Sequence, residues 1–409
     1  MQKTLAVVGE LAEPRVDKVL SCAREMNIRI IMCITNGRDL PVNNYPDAVY
    51  FVNVSDVDSI VDICQKEKAV GIIGLTDPTV ITAARVAEIL GYKGNSVNSV
   101  RELLYKASFR KLQEKVGLLC PKSFHSNDAV TAAIMAKDLQ FPVIIKPMLN
   151  SSSQGQSLLS EFDDISFTQY FNKASDFSRN GEVCVEEFFE NKDLKVIEIE
   201  AFLANGQIVF EGARDSYRTY HDILRPVYDV YPADLTASQM AELQLAVSKA
   251  ILASGATFGH FNAEGFFTAE GKFFILEINP RQSGNCNLDH IQLCCGVDMT
   301  RLLLSTSIGD MSYFDSLLSS QRKHAHILSH TLFSFVPGEI ESIYISDELE
   351  KRICHRKFFT SDSWPFVNDI KNAHYPILKL AYKFESREEM NEIIQRLEEL
   401  IYPVIKENN

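Results

Sequence analysis

The stretch FNAEGFFTAEGKFFILEINPR, residues 261–281, decides how the rest of the chain is read. Side chains of a strand over 273–279 alternate faces, so Glu277 and Asn279 share one face while Leu276 and Ile278 point to the other. If Glu270 and Gly271 form a two-residue hairpin turn, Glu264 falls directly opposite Glu277. Opposed acids with Cβ atoms about 4.5–5.5 Å apart repel unless something neutralises them. A divalent cation does so, and two carboxylates with an Asn carbonyl are hard oxygen donors that suit Mg²⁺ completed by water and phosphate. Arg281, two residues beyond Asn279, adds a fixed positive fork suited to oxygens that gain charge in phosphoryl transfer. A three-residue turn would instead put the two Glu on opposite faces. The plainer reading of the stretch is a solvated hairpin with incidental acids.

Working upstream, FPVIIKPMLNSSSQGQS (141–157) is an apolar β run ending in Lys146, followed by a loop of small residues. Such a loop lets backbone N–H groups approach phosphate oxygens, and Lys146 would neutralise an inner phosphate. EVCVEEFFEN (182–191) is an apolar strand running into Glu186, Glu187, Phe188 and Phe189, a pattern that fits an adenine-binding linker between two lobes. Taken alone, each is as well explained by a strand with a charged end. In KVIEIEAFL (195–203), Glu198 and Glu200 share a strand face, read as a solvated edge. GARDSYRTYHDILRPVYDVYP (212–232) reads as a polar loop able to close over an anion. His324, His326 and His330 read as a polar strand surface rather than a metal or catalytic set.

A chain of 409 residues exceeds one core, so two to four subdomains around a cleft are expected. With 46% apolar and 23% charged residues it reads as an ordinary globular protein, and its net charge of -13 argues against nucleic acid or an anionic membrane as partner. No apolar run is long enough to cross a bilayer and the start lacks a signal peptide. The nine Cys form no CxxC pair, which points to reduced thiols and a cytoplasmic setting. The first hundred residues alternate apolar strands with helical patterns, including helices over 16–26 and 57–66, the rhythm of an open parallel α/β domain. Gly9 stands alone after the first strand, so a dinucleotide fingerprint is missing. One helix is predicted over 101–116 and others over 237–254 and 387–401. The domains are read as 1–98, an N-terminal α/β unit; 99–187, a linker helix and small lobe; 188–310, a large lobe with the metal site; and 311–409, an α/β cap completing that lobe.

In order, LLYKASFRKLQEKVG, FPVIIKP with its small-residue loop, VEEFFEN, the Glu-bearing strand and LEINPR resemble the ATP-grasp superfamily of carboxylate–amine ligases. Within it the chain looks most like stand-alone amino-acid ligases that form dipeptides or related amides. The resemblance covers about residues 100–300 and implies an α/β and α+β multidomain fold in which two β-rich lobes sandwich ATP. It implies Lys106 and Lys146 as phosphate-contacting lysines, Ser153 and Gly155 in the flexible loop, and Glu186 on the adenine amine. The backbones of Glu187 and Phe189 would serve the ring and Asp193 the ribose. Glu264, Glu277 and Asn279 match metal ligands, with two Mg²⁺ ions, or Mn²⁺, per site. Arg281 matches the Arg that steadies the transferred phosphoryl group, and Arg225 a phosphate-facing base. The implied partners are a small-molecule carboxylate and an amine, and the look-alikes are often homodimers. Two departures stand out: Tyr105 replaces the Asp many relatives carry before the first Lys, and the loop NSSSQGQ is poorer in Gly. The alternatives are an ATP-grasp ligase acting on a carrier-bound acyl group or another carboxylate, and an ATP-binding regulatory module without catalysis.

Overall fold

The computed structural model describes residues 2–9, 14–35, 45–148, 155–178, 180–189, 195–221, 223–284, 286–334, 338–358, 366–367 and 376–406. The chain begins with β1 (Lys3–Val8), α1 (Pro14–Glu25), β2 (Ile28–Ile34), β3 (Ala48–Phe51), α2 (Val57–Lys66), β4 (Ala69–Gly74) and α3 (Asp77–Leu90). The strands form a parallel sheet in the order β3-β2-β1-β4. Apolar strands buried on both faces are what a parallel sheet covered by helices requires, and Leu5, Val7 and Ile30 pack on one side while Ala6, Val8 and Ile31 pack on the other. At α2 the Asp56 side chain accepts from the Ser59 N–H, and Ile60 and Cys64 are buried.

Where one helix was predicted over 101–116 there are two, α4 (Val97–Leu104) and α5 (Lys106–Lys115). Tyr105 between them is extended, with φ -85° and ψ 115°. The break makes Lys106 the first residue of a helix. Next come β5 (Ser123–Ser126), α6 (Ala129–Ala136), β6 (Val143–Pro147), β7 (Ser157–Leu159), α7 (Asp164–Phe177) and β8 (Val183–Glu187). These strands make a small antiparallel sheet in the order β5-β8-β6-β7. Val143, Ile145, Val183 and Val185 face the helices, and by alternation Lys146, Cys184 and Glu186 take the opposite face.

The remaining elements are β9 (Lys195–Ala204), β10 (Gln207–His221), β11 (Ile223–Tyr231), α8 (Ala237–Ala253), β12 (Gly259–Phe267), β13 (Phe273–Asn279), α9 (Asn287–Cys295), α10 (Met299–Ser307), α11 (Ser312–Ser319), β14 (His326–Leu332), β15 (Gly338–Ile345), α12 (Asp347–Glu350), β16 (Ile353–Phe358), β17 (Phe366–Val367), β18 (Leu378–Phe384), α13 (Arg387–Gln395), α14 (Leu397–Leu400) and β19 (Ile401–Ile405). Among the described residues a large sheet runs β13-β12-β9-β10-β11-β14-β18-β16, and β17-β15-β19 form a separate small sheet. The segment read as a polar loop over 212–232 is the paired strands β10 and β11. One face of the large sheet packs on α8 through Ile197, Ile199, Phe261, Ala263 and Ile275. Its other face, over β9, β10 and β12, is polar and carries the candidate site.

Candidate active site

The hairpin of β12 and β13 opposes Glu264 to Glu277 and Asn262 to Asn279. It does so by a different route from the one its sequence pattern predicts. The Thr268 N–H donates to the Lys272 carbonyl at 2.9 Å, and Gly271 sits at φ 75°, so the turn has three residues between the closing pair. Near the turn the register pairs Phe266 with Phe274 and Gly265 with Ile275, the phase that would separate the two acids. A β-bulge between Glu264 and Gly265 then takes up Leu276 as an extra residue and restores the opposition. The slip shows in the core: Phe273, Ile275 and Ile278 face α8, a spacing of two and then three.

The bulge is held from α5. Arg110 Nη1 donates to the Ile275 carbonyl at 3.2 Å and Gln113 Nε2 donates to the same oxygen at 3.1 Å. Arg110 Nε also donates to Glu186 Oε2 at 2.9 Å, and its guanidinium lies 5.2 Å from the centroid of Phe274. Phe274 meets Phe189 edge-on at 4.9 Å, so the end of the small sheet packs directly on β13.

Glu186 accepts from Lys146 Nζ at 2.9 Å as well as from Arg110, and these cations hold its carboxyl down at about 2 against the opposing effect of burial. Its side chain is therefore engaged by two cations inside the protein. The Glu187 N–H donates to the Lys122 carbonyl at 2.9 Å, and its carboxylate accepts from the N–H groups of Lys122 and Gln140. Lys106 lies where burial and then the like charge of Lys146 depress its pKa, opposed by Glu277 and Glu186. A cation at the start of a helix also meets the positive end of the helix dipole. Two lysines and a helix start crowd one another in a way that an anion between them would relieve.

At the acidic pair, burial and then the charge of Glu277 raise the pKa of Glu264, and Arg218 Nη2 donates to it at 2.7 Å. The expectation that a dication alone makes the pair tolerable is corrected here, since Arg218 neutralises one member. Glu277 accepts from Asn279 Nδ2 at 2.9 Å and has no ion-pair partner among the described residues. Glu264 shares the Arg218 guanidinium with Glu198 and Glu277 has no ion-pair partner among the described residues, which fits a divalent cation held by Glu264, Glu277 and the Asn279 carbonyl. No group of three or more His, Cys, Asp or Glu side chains is arranged for a metal among the described residues. Arg281 is ion-paired with Asp77 at the start of α3, and its Nη1 donates to the Gln282 carbonyl at 3.1 Å. Gly155 sits at φ 77°, where a Cβ would come within 2.5 Å of Phe177, so only glycine fits. Arg225 lies in β11 opposite Thr219, but its side chain, like Ser153 and Asp193, lies outside the described residues.

Several residues escaped the sequence reading. Glu198 and Glu200 lie on a central strand, buried at 6% and 0% exposure, where a solvated edge was expected. Arg214, fully buried, pairs with both, at 3.5 Å from Glu200. His260 Nε2 lies 2.7 Å from Glu200, and Asn262 donates to it at 3.0 Å. The signal was present as alternation: Glu198 and Glu200 on β9, and Arg214 and Arg218 on β10, point to one face. Arg218 bridges Glu198 at 3.5 Å and Glu264, tying the network to the acidic pair. Burial and the neighbouring Glu264 push Glu198 up to about 7 despite Arg214.

Comparison with known proteins follows the same lines. Residues 105–308 match the family described as carbamoyl-phosphate synthase L chain, ATP binding domain. Curated relatives include the uncharacterized protein y4rH of Sinorhizobium fredii, 23% identical over 63% of this chain and 54% of its own length. The carbamoyl phosphate synthase large chain of Clostridium perfringens is 22% identical over 71% of this chain and 27% of its own. The chain thus spans about half the length of the first and about a quarter of the second. The L-amino acid ligase of Bacillus licheniformis superposes with a TM-score of 0.79 at 15% identity, covering 99% of both chains. The phosphoribosylglycinamide synthetase of Anaerococcus prevotii gives 0.77 at 16%, covering 99% of this chain and 100% of that one. The chain thus has the fold of these two structures along its whole length, and residues 105–308 within it match an ATP-binding domain.

Proposed function

We propose that this chain is an ATP-dependent carboxylate–amine ligase that forms an amide or peptide bond through an acyl phosphate, between amino acids or amino-acid-like substrates. The observation that carries the reading is the opposition of Glu264 and Glu277 beside Asn279, with the charge of Glu277 felt at Lys106. Lys106 and Lys146 bind polyphosphate, with Gly155 and the residues around it, Ser153 included, closing on the same oxygens. Adenine lies against the end of β8, served by Glu186 and the backbones of Glu187 and Phe189, with Asp193 on the ribose. Bound Mg²⁺, two ions or Mn²⁺ in their place, supplies the positive charge that lets acids and phosphates approach one another.

Arg281 holds the substrate carboxylate and the phosphoryl oxygens in line, and Arg225 adds a second positive charge. The γ-phosphoryl group passes to the carboxylate, the amine attacks the activated carbonyl, and phosphate leaves to give the amide and ADP. The packing of Phe189 on Phe274 and the buried Arg110 support the exclusion of water that an acyl phosphate requires. The likeness to an L-amino acid ligase over nearly all of both chains supports amino-acid substrates. One neighbour of the same fold is described as a domain dimer with MgADP and bicarbonate, which supports a homodimer. No helix among the described residues is long and apolar enough to cross a membrane, and all nine cysteines are unpaired, which supports a cytoplasmic enzyme. The domain division 1–98, 99–187, 188–310 and 311–409 belongs to the same reading. ADP release screened across pairs of amino acids, with mass spectrometry of the product, tests it: Mg²⁺-dependent release and a condensed product are expected, and no turnover with any pool would favour a binding module.

A further inference from the structure

Next to Arg281 and His260, a cavity of about 70 Å³ opens between the N-terminal unit and the large sheet. Val80 and Ala84 of α3 and Val100 of α4 form its apolar wall. It touches the candidate site at Arg281 and His260, while Lys106, Lys146 and the acidic pair lie outside it.

Three of its lining side chains, His260, Gln282 and Ser307, are only 3%, 2% and 4% exposed. Each carries a polar atom without a hydrogen-bond partner: His260 Nδ1, Gln282 Oε1 and Ser307 Oγ. Buried polar atoms are nearly always satisfied, so three around one hollow mark a place built for a polar occupant. Their complement is defined. Gln282 Nε2 donates to the Met299 carbonyl at 3.1 Å, which leaves Oε1 as an acceptor. His260 Nε2 lies 2.7 Å from a Glu200 carboxylate oxygen, and its Nδ1, turned to the hollow, can meet either a donor or an acceptor. The Ser307 hydroxyl can act either way. The occupant must bring a donor to Gln282, while the other two atoms meet either a donor or an acceptor.

Size narrows it further. A water needs about 10–15 Å³ on this measure, so the hollow takes on the order of five non-hydrogen atoms. We infer that this cavity is the side-chain subsite for the activated carboxylic acid, and that it takes a short amino or hydroxy acid of alanine, serine, threonine or valine size. The ammonium or hydroxyl meets Gln282 Oε1, the aliphatic tail meets Val80, Ala84 and Val100, and the carboxylate faces Arg281. The assignment rests on the ligase reading of the neighbouring site.

The test is calorimetric binding of alanine, serine, threonine, valine, phenylalanine, glutamate and arginine to the whole protein with Mg²⁺ and a non-hydrolysable ATP analogue, paired with ADP release for the same acids. Short acids are expected to bind at least about tenfold more tightly than the three long ones. Ala84→Leu, which fills the hollow, should raise KM for short acids about tenfold or more with a smaller change in kcat and unchanged nucleotide affinity. Should that variant fail to fold, Val100→Ala decides, by moving the preference toward a tail one or two carbons longer. Equal binding of short and long acids overturns the inference. So does an Ala84→Leu protein that melts higher but binds acids as before, which would mean that the hollow holds only water. If no acid pair releases ADP, the ligase reading fails, and the binding series still decides whether the cavity takes a short acid.

Discussion

Arg110 donates to the Ile275 carbonyl at 3.2 Å, one residue before the extra residue of the bulge, and to Glu186 at 2.9 Å. One buried guanidinium thus ties the end of the small sheet to the register of the acidic hairpin. Arg110→Leu leaves Glu186 short of a cation and the bulge short of a donor, so a loss of about 3–5 kcal/mol is expected. Arg110→Lys keeps the charge but not the fork that reaches both partners. Urea unfolding and ADP release check this: the Lys variant should fold and lose most turnover, and full turnover would break the link between the guanidinium and the acidic pair.

Glu277→Gln removes the acid that has no ion-pair partner among the described residues. ADP release should vanish, while the melting temperature without divalent cation shifts by less than about 3 °C, since one repulsion with Glu264 is worth no more than about 1 kcal/mol. The stabilisation that Mg²⁺ gives the parent protein should disappear with it. A Mg²⁺ titration followed by melting temperature reads both, and an unchanged response to Mg²⁺ would remove Glu277 from the metal site.

Arg218→Gln takes away the guanidinium between Glu198 and Glu264. The protein should lose stability without Mg²⁺ and recover more of it than the parent does when Mg²⁺ is added, because the cation then neutralises a larger deficit. Equal responses in parent and variant would mean that the Arg218 charge is not felt at the acidic pair.

Acid should destabilise the fold in two separable ways. His330 is pushed down to about 4 by burial and then by Lys379, so the folded state refuses a proton that the unfolded chain takes up below its ordinary value of 6.5. Stability is therefore lost as pH falls from 6.5 toward 4. His330→Gln should gain on the parent across that window by up to about 3 kcal/mol and run parallel to it above pH 7. Glu186 and Glu200 are both held at about 2, chiefly by Lys146 and Arg110 for the first and by His260 for the second. Their contribution is complete above the ordinary carboxylate value of 4.5 and is lost as pH falls toward 2. Urea midpoints measured from pH 8 to pH 3 test the sign of each.

Much of this could be read from sequence because strands and helices announce themselves by period. The alternation of β1, β2 and β4 with helices fixed an open parallel unit, and the helix over 57–66 lies where its Asp56 cap and apolar spacing put it. Three things were hidden. Tyr105 breaks a helix whose apolar pattern continues on both sides of it, because a single residue's backbone can turn without changing the pattern. β10 and β11 carry Arg, Asp and Tyr on a face that is buried yet polar, and polarity in a sequence ordinarily means solvent. The opposition of Glu264 and Glu277 was anticipated from a turn that is not there. Its true cause, a bulge held by Arg110 and Gln113, depends on residues about 160 positions upstream in the chain.

The hairpin therefore contains two departures from simple pairing that cancel. Each shifts the phase of one strand by a single residue, and only their combination brings the acids together. Deleting Leu276 while the three-residue turn is kept would close β13 into a regular strand with Glu277 still opposite Glu264, whereas losing a second residue from 273–276 would swing Glu277 to the other face. The bulge gives the hairpin one residue of slack: a single gap in a relative between residues 273 and 276 should be tolerated, and a second should not.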